Sequence, residues 1–429
     1  MISLITQIKE TNISENLLIL LNHPPHSFLT MTKFRIFPIL LALLFSSGTK
    51  AQNSPVKSAK SQSCDVAAFY WPAYHPAERF KEISVFPDGK GEWEAIYKSK
   101  PKFAGEQVPK VPLWGYQDES DPKVMQQKIE TATSYGVNTF IFDWYWYTGK
   151  PYLEECLNNG FLKASNNIKM KFYLMWANHD HNSYLDPANP DKNKLYWKGG
   201  VDSLTFVKMI DHVIKDYFKK PNYYKIDKMP VFSIYELGTF IKGIGGTEKA
   251  KEALDIFRKK TIAAGFPGLH LQAIVWGQIP KSLDGVPSDL VKTQNQALLY
   301  LGFKSMTNYQ WIHYTSIAPQ EDYAGWEKKG IAKWAEYDST FTIPYFPQVS
   351  IGWDNNPRFP VKVQNAVVNT NPAEFKKALY EAKKFVDQHP GRHKLVTINA
   401  WNEWAEGSYL EPDTTFKYGY LEAVKEVFR

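Results

Sequence analysis

Eight times between residues 65 and 429 the chain repeats one pattern: a short apolar run, then aromatic and polar residues, then a segment of helical periodicity. The runs are Val66–Trp71, Asn138–Trp144, Lys171–Ala177, Val231–Tyr235, Leu269–Trp276, Ser305–Tyr309, Tyr345–Gly352 and Leu395–Trp401, and each reads as a strand. Several of the intervening helices are marked at their ends. Asp121-Pro122 supplies an N-cap and a proline at the first helical position, Met125, Ile129 and Ala132 share a face, and Gly136 follows the end. Leu204, Val207, Ile210, Ile214 and Tyr217 predict a second buried stripe, and Ala250, Leu254 and Phe257 a third, closed by Gly265. Asn371-Pro372-Ala373-Glu374 opens a fourth helix with capping-box spacing. Strands alternating with helices predict an α/β fold, a (β/α)8 TIM barrel forming a single catalytic domain over 65–429. A doubly wound open sheet is the alternative. No glycine-rich phosphate loop follows the first strand, which argues against a nucleotide-binding version of it.

The first 51 residues read as an N-terminal extension and secretory signal peptide. Lys33 and Arg35 precede the apolar run Ile36 to Phe45, and small and polar residues follow up to Thr49-Lys50-Ala51. That run, about ten residues, is too short to span a bilayer, so no stable membrane insertion is expected once it is removed. Residues 1–30 precede Met31, itself a conventional start. Residues 52–64 read as a polar linker. The expectation is an exported protein, periplasmic or secreted, whose mature chain begins near Gln52. Cys64 and Cys156 match no metal-ligand spacing; one disulfide and two free thiols are both open.

The formal charge is +7, and +5 without the first 51 residues, with no Lys/Arg-rich run, so nucleic acid is not an expected partner. The chain is 15% aromatic, with 14 Trp and 25 Tyr. Sugar rings present apolar C–H faces that stack on such side chains, so the excess suits a carbohydrate cleft as well as a large core.

In a barrel the active site lies at the C-terminal ends of the strands. Those ends read Tyr70-Trp71, Asp143-Trp144-Tyr145, Trp176-Ala177-Asn178-His179, Tyr235-Glu236, Trp276, Asn308-Tyr309, Trp353-Asp354 and Asn402-Glu403-Trp404-Ala405-Glu406. The expected substrate contacts are Tyr70, Trp71, Asp143, Trp144, Tyr145, Trp176, Asn178, His179, Glu236, Trp276, Tyr309, Trp353, Asp354, Asn402 and Trp404. Asn178-His179-Asp180-His181 lacks a third distant ligand, so neither a metal nor another cofactor is expected, and hydrogen bonding to sugar hydroxyls is the better reading. Glu403 and Glu406 stand three residues apart beside Trp401 and Trp404. Glycosidic cleavage needs such a pair, one carboxyl holding a proton and the other ionised. A loop with solvated acids is the plain alternative. In the catalytic reading Trp401 and Trp404 lower the polarity around the pair and Asn402 donates to the ionised member.

The run Asn399-Ala400-Trp401-Asn402-Glu403-Trp404-Ala405-Glu406-Gly407, followed by Leu410-Glu411-Pro412-Asp413, resembles the C-terminal signature of the WbsX-type proteins, which are similar to glycoside hydrolase family 99. Gly352-Trp353-Asp354-Asn355-Asn356-Pro357-Arg358, Trp176-Ala177-Asn178 and Tyr145-Trp146-Tyr147-Thr148-Gly149 resemble further signatures, so the likeness spans Tyr70 to Tyr420. It implies a barrel like that of the endo-α-mannosidases and a retaining hydrolysis of α-linked, mannose-like glycans. By the same resemblance Glu403 is the base toward the sugar 2-hydroxyl and Glu406 the acid and base at the leaving oxygen. Many relatives carry a glutamate where this chain has His179, which bears on the substrate subsite. The WbsX name also carries a glycosyltransferase role; a secretory signal argues against it, because sugar nucleotides are cytosolic. A transglycosylase and a non-catalytic carbohydrate-binding protein remain as alternatives.

Overall fold

A computed structural model describes residues 63–183, 193–275, 291–359 and 361–429. The expected signal segment, nearly all of the linker, and Trp276 lie outside the described residues. All eight expected strands form. They are β1 (Asp65–Tyr70), β2 (Thr139–Tyr147), β3 (Lys171–Trp176), β4 (Met229–Ile234), β5 (His270–Ile274), β6 (Ser305–Thr307), β7 (Gln348–Ser350) and β8 (Leu395–Asn399). They pair in parallel in the order β6-β5-β4-β3-β2-β1-β8-β7. A parallel bridge between Met306 and Tyr345 brings the two edges together and nearly closes the barrel. The (β/α)8 architecture is therefore the one the alternating pattern predicts.

Strands in such a barrel are buried on both faces, one against the interior and one against the helices. Every residue of β1 and β2 is buried. The lower barrel interior is partly polar, with its groups paired across strands. Gln272 Oε1 accepts from Tyr173 Oη at 3.1 Å and from Ser233 Oγ at 2.7 Å, and the Thr307 and Thr397 hydroxyls meet at 2.9 Å.

The helices end where local chemistry stops them. Besides the short α1 (Trp93–Tyr97) there is α2 (Pro122–Ser134), whose Asp121 cap accepts from the Lys123 N–H, with Met125, Ile129 and Ala132 fully buried. Next comes α3 (Ser203–Val213). Its buried side is Phe206, Met209, Ile210 and Val213; of the expected stripe Ile210, Ile214 and Tyr217 are buried, Val207 is half-buried and Leu204 is 79% exposed. Phe206 decides the rotation by packing on Trp176 and Phe240, and a π-helical turn, Ile214–Phe218, then shifts the phase so that Tyr217 is still buried. After α4 (Leu237–Ile244), α5 (Thr247–Ala263) buries Ala250, Leu254 and Phe257, and Gly265 follows in the left-handed region at φ +98°. Then come α6 (Gln294–Leu301), α7 (Tyr323–Thr340) and α8 (Pro372–Asp387). The α8 cap, Asn371, accepts from the Ala373 and Glu374 N–H groups at 3.0 Å each. The last helix is α9 (Gly419–Phe428). Cys64 and Cys156 are both free thiols. No helix among the described residues is long and apolar enough to cross a membrane.

Candidate active site

The strand-end loops surround a pocket of about 220 Å³ whose lining includes Trp71, Asp143, Tyr145, His179, Tyr309, Glu403 and Glu406. Seven of the expected site residues thus meet there, drawn from five strand ends. Tyr152, Asp180, His181, Tyr235, His313 and Arg358 line it as well.

The remaining expected residues are placed elsewhere, mostly by the two-residue alternation of strands. Adjacent side chains on a barrel strand face opposite ways, so of Asp143-Trp144-Tyr145 the first and third point inward and the second outward. Trp144 donates to Glu154 Oε1 at 2.7 Å and packs beside His212 of α3. Tyr70 points at α2, its hydroxyl 3.2 Å from Met125 Sδ, and Trp176 packs against Phe206 and Phe240. Asn178 clamps the next loop, its amide bonding both the Glu236 N–H and C=O at 2.7 Å, and the Glu236 carboxylate accepts from Thr239. Trp353 and Asp354 face a separate pocket of about 380 Å³ beside Gly407.

The strand-eight motif divides in the same way. Trp401 and Trp404 do not surround the glutamates. Both indoles donate at 2.8 Å to the Glu411 carboxylate, one to each oxygen, and Trp404 stacks on Tyr409 at 3.8 Å. Asn402 does not donate to a site glutamate either. Its amide bridges the Trp71 backbone and donates to Glu119. Glu119 and Glu411 share Lys128, and all three are buried. The expected cause of the pKa shifts is therefore corrected: burial supplies it, not the two tryptophans.

The counter-ion of the pair, Arg358, is not among the expected site residues. Arg358, in the loop after β7, sends Nη1 to Glu406 Oε1 at 2.5 Å and Nη2 to Glu403 Oε2 at 3.2 Å. Its Nε reaches Glu92 Oε1 at 2.5 Å, and Glu92 also accepts from the Trp71 indole at 2.5 Å. Burial pushes the carboxyls of Glu403 and Glu406 above the usual range, and Arg358 opposes the shift in both. Glu403 Oε1 receives a second contact, 2.7 Å from the Tyr309 hydroxyl. Glu406 Oε2 is buried with no partner. The signal for Arg358 was present in the sequence: it is the one Lys or Arg in the strand-end motifs, and clustered buried acids require a counter-charge. Glu92 lies 22 residues beyond β1 in a long loop, where nothing local marks it.

The surrounding imidazoles are neutral. Burial lowers the pKa of His181 and of His313 to about 3, and lowers that of half-buried His179 as well. The lining therefore combines a carboxyl pair, one guanidinium, neutral imidazoles and aromatic faces. It can exchange protons with, and hydrogen-bond, an uncharged polyhydroxylated ligand. Among the described residues no group of three or more His, Cys, Asp or Glu is arranged to hold a metal ion.

Comparison with known proteins bears on the fold and the family. Among solved structures the chain resembles a glycoside hydrolase-like protein at a TM-score of 0.55 and 15% identity, covering 88% of this chain and 97% of that one. It also resembles a family 99 endo-α-mannosidase from Bacteroides thetaiotaomicron, with a TM-score of 0.51, 13% identity and coverage of 84% and 95%. Likeness at such identities establishes the barrel fold. Among curated sequences it is similar to the uncharacterized protein WxcX of Xanthomonas campestris pv. campestris, 27% identical over 366 residues. That match covers 84% of this chain but only 49% of the relative, so the chain spans about half the length of the curated relatives it matches. A family model described as glycosyltransferase WbsX matches residues 66–424, and the chain belongs to that family.

Proposed function

We propose that this WbsX-family chain is an exported, retaining glycoside hydrolase that cleaves an α-linked glycan with participation of the sugar 2-hydroxyl. One observation carries the reading: Glu403 and Glu406 face one pocket on the same guanidinium, and Glu406 keeps Oε2 buried without a partner. Although burial raises the Glu403 carboxyl further than that of Glu406, two donors, one at each oxygen, favour the Glu403 anion, while Glu406 accepts from Arg358 at one oxygen only. The proton of the pair accordingly rests on Glu406 Oε2.

Glu403 takes the 2-hydroxyl proton as that oxygen attacks C1. The bond from C1 to the leaving oxygen breaks, and Glu406 gives this oxygen its proton, leaving a 1,2-anhydro sugar. Glu406, now ionised, takes a proton from water, which opens the three-membered ring at C1. Glu403 returns its proton to O2. Two inversions at C1 give net retention. No covalent bond to the protein forms, so the carboxylate spacing of ordinary retaining enzymes does not constrain this pair. Neutral imidazoles and the rings of Trp71, Tyr145 and Tyr235 line the remainder of the pocket and suit a mannose-like sugar.

The test is a screen of the protein from Gln52 onward against α-linked polysaccharides, with Glu406→Gln as control. New reducing ends of retained anomeric configuration, absent in the variant, are expected; undiminished turnover in Glu403→Gln or Glu406→Gln would sink the assignment. The family's description as a glycosyltransferase favours a second reading, transfer to a sugar acceptor by the same pair. Products longer than the substrate, or dependence on an activated donor, would decide for it.

A further inference from the structure

The Tyr309 hydroxyl stands between two carboxyl groups, 2.8 Å from Asp143 Oδ2 and 2.7 Å from Glu403 Oε1, and all three side chains are buried. A phenol carries one proton, so it donates to one of these oxygens and not to both. Were both carboxyls ionised, one contact would be an oxygen facing an anion at hydrogen-bond distance with no hydrogen between them. That arrangement is costly in a buried site.

We propose that Asp143 is a positioning residue that holds this missing proton, donating it to the Tyr309 oxygen so that the phenol proton is committed to Glu403. The chain then runs Asp143 O–H to Tyr309 Oη, and Tyr309 O–H to Glu403 Oε1, with every proton assigned once. Its consequence for catalysis rests on the reading of Glu403 as base; the shared proton itself rests on the distances alone.

The groups facing Asp143 support this. Around it stand Tyr145 on its own strand, Tyr235 after β4, Tyr309 after β6, Arg358 after β7, and Glu403 and Glu406 after β8. Arg358 is the one cation among the described lining residues, and it binds Glu92, Glu403 and Glu406, while Asp143 meets the Tyr309 hydroxyl. Asp143 Oδ1 is buried with no partner, as suits a carboxylic acid rather than a carboxylate. Burial, the largest influence, pushes the Asp143 carboxyl well above the usual range. As pH rises and Asp143 ionises, the Tyr309 proton has two anions to serve and Glu403 loses its committed donor.

The test is infrared difference spectroscopy of the carboxyl region in a Glu406→Gln background, which removes the other protonated site carboxyl. The spectrum with and without Asp143→Asn is compared at neutral pH. A protonated-carboxyl band lost with Asp143→Asn, and shifted in frequency by Tyr309→Phe, is expected. Identical spectra with and without Asp143→Asn overturn the proposal. If Asp143→Asn does not fold, Tyr309→Phe decides, because no shift of any protonated-carboxyl band also overturns it. On a substrate found by the screen, Asp143→Asn keeps an N–H donor toward Tyr309 and loses less activity than Asp143→Leu; equal losses count against the shared proton. The spectra need no substrate, so failure of the hydrolase reading and failure of this one are told apart.

Discussion

Two buried clusters gather carboxylates around a single cation, and they differ in what is left over. Around Lys128, Glu119 and Glu411 have every oxygen engaged: by Lys128 and Asn402, by Asn402 and Cys156, by Trp401 and Lys128, and by Trp404. Around Arg358, Glu92, Glu403 and Glu406 share the guanidinium, yet Glu406 Oε2 and the neighbouring Asp143 Oδ1 are buried without a partner. The first cluster stands outside the pocket, whereas Arg358, Glu403 and Glu406 of the second line it. The same strand-eight motif feeds both, sending Trp401, Asn402 and Trp404 to one and Glu403 and Glu406 to the other. Buried carboxyl groups with every oxygen partnered fix a fold, whereas buried carboxyl oxygens left without a partner beside a pocket are available to a ligand.

That contrast breaks most readily at the site glutamates. Glu403→Gln and Glu406→Gln should each reduce turnover by about a thousandfold while unfolding curves stay close to wild type. If instead the fold is lost, the Arg358 cluster is architectural after all. Lys128→Met should do the reverse. It strands two buried carboxylates and is expected to cost about 3–5 kcal/mol in denaturant unfolding. Restoring part of that loss by adding Glu119→Gln and Glu411→Gln would sharpen the point that charge balance is what matters there.

Arg358→Gln probes the active cluster more gently. Removing the cation lets burial act unopposed, so both site carboxyls ionise at higher pH. A base must be ionised to work, so the acid limb of the pH–rate profile should move up by about one unit or more. A profile of unchanged position would mean that the guanidinium is not coupled to the pair. The smallest effect is expected at Asp65, a satisfied carboxylate at the foot of β1. It accepts from Lys171 at 2.7 Å, Tyr224 at 2.9 Å and Asn138 at 3.0 Å, and despite burial, which acts the other way, His393, Lys171 and Tyr224 lower its pKa to about 2. A depressed carboxylate stabilises the fold above its unfolded pKa and ceases to do so as pH falls through the folded one. Wild type should therefore lose roughly 2 kcal/mol as the pH drops from about 4 to about 2, and Asp65→Asn should not. Stepped-pH unfolding of the two proteins checks this.

How far the site could be read from sequence varies with the residue. Glu403, Glu406, Asp143, Tyr145, Tyr309, Trp71 and His179 reach the pocket because each stands at a strand end, which periodicity locates. Tyr70, Trp144 and Trp176 stand at the same ends but one position out of phase, and the alternation of the strand turns them toward the helices. Asn178, Glu236 and Asn402 lie in the loops just beyond, where no period applies, and their polar groups pair with the protein instead. On α3 two apolar stripes compete, and the packing of Phe206 selects between them.

The sequence by itself determined the barrel, its eight strands in order and the end of it that carries the chemistry. Those follow from local hydrophobic period, caps and turns, which each segment holds within a dozen residues. Only the tertiary structure decided what surrounds the carboxylates. Arg358 and Glu92 are separated by 266 residues, and Asp143 and Tyr309 by 166, so their meeting is set by the closure of the barrel and not by any local pattern. The charge balance of a buried site is a sum over such neighbours, and that sum exists only once the chain has folded.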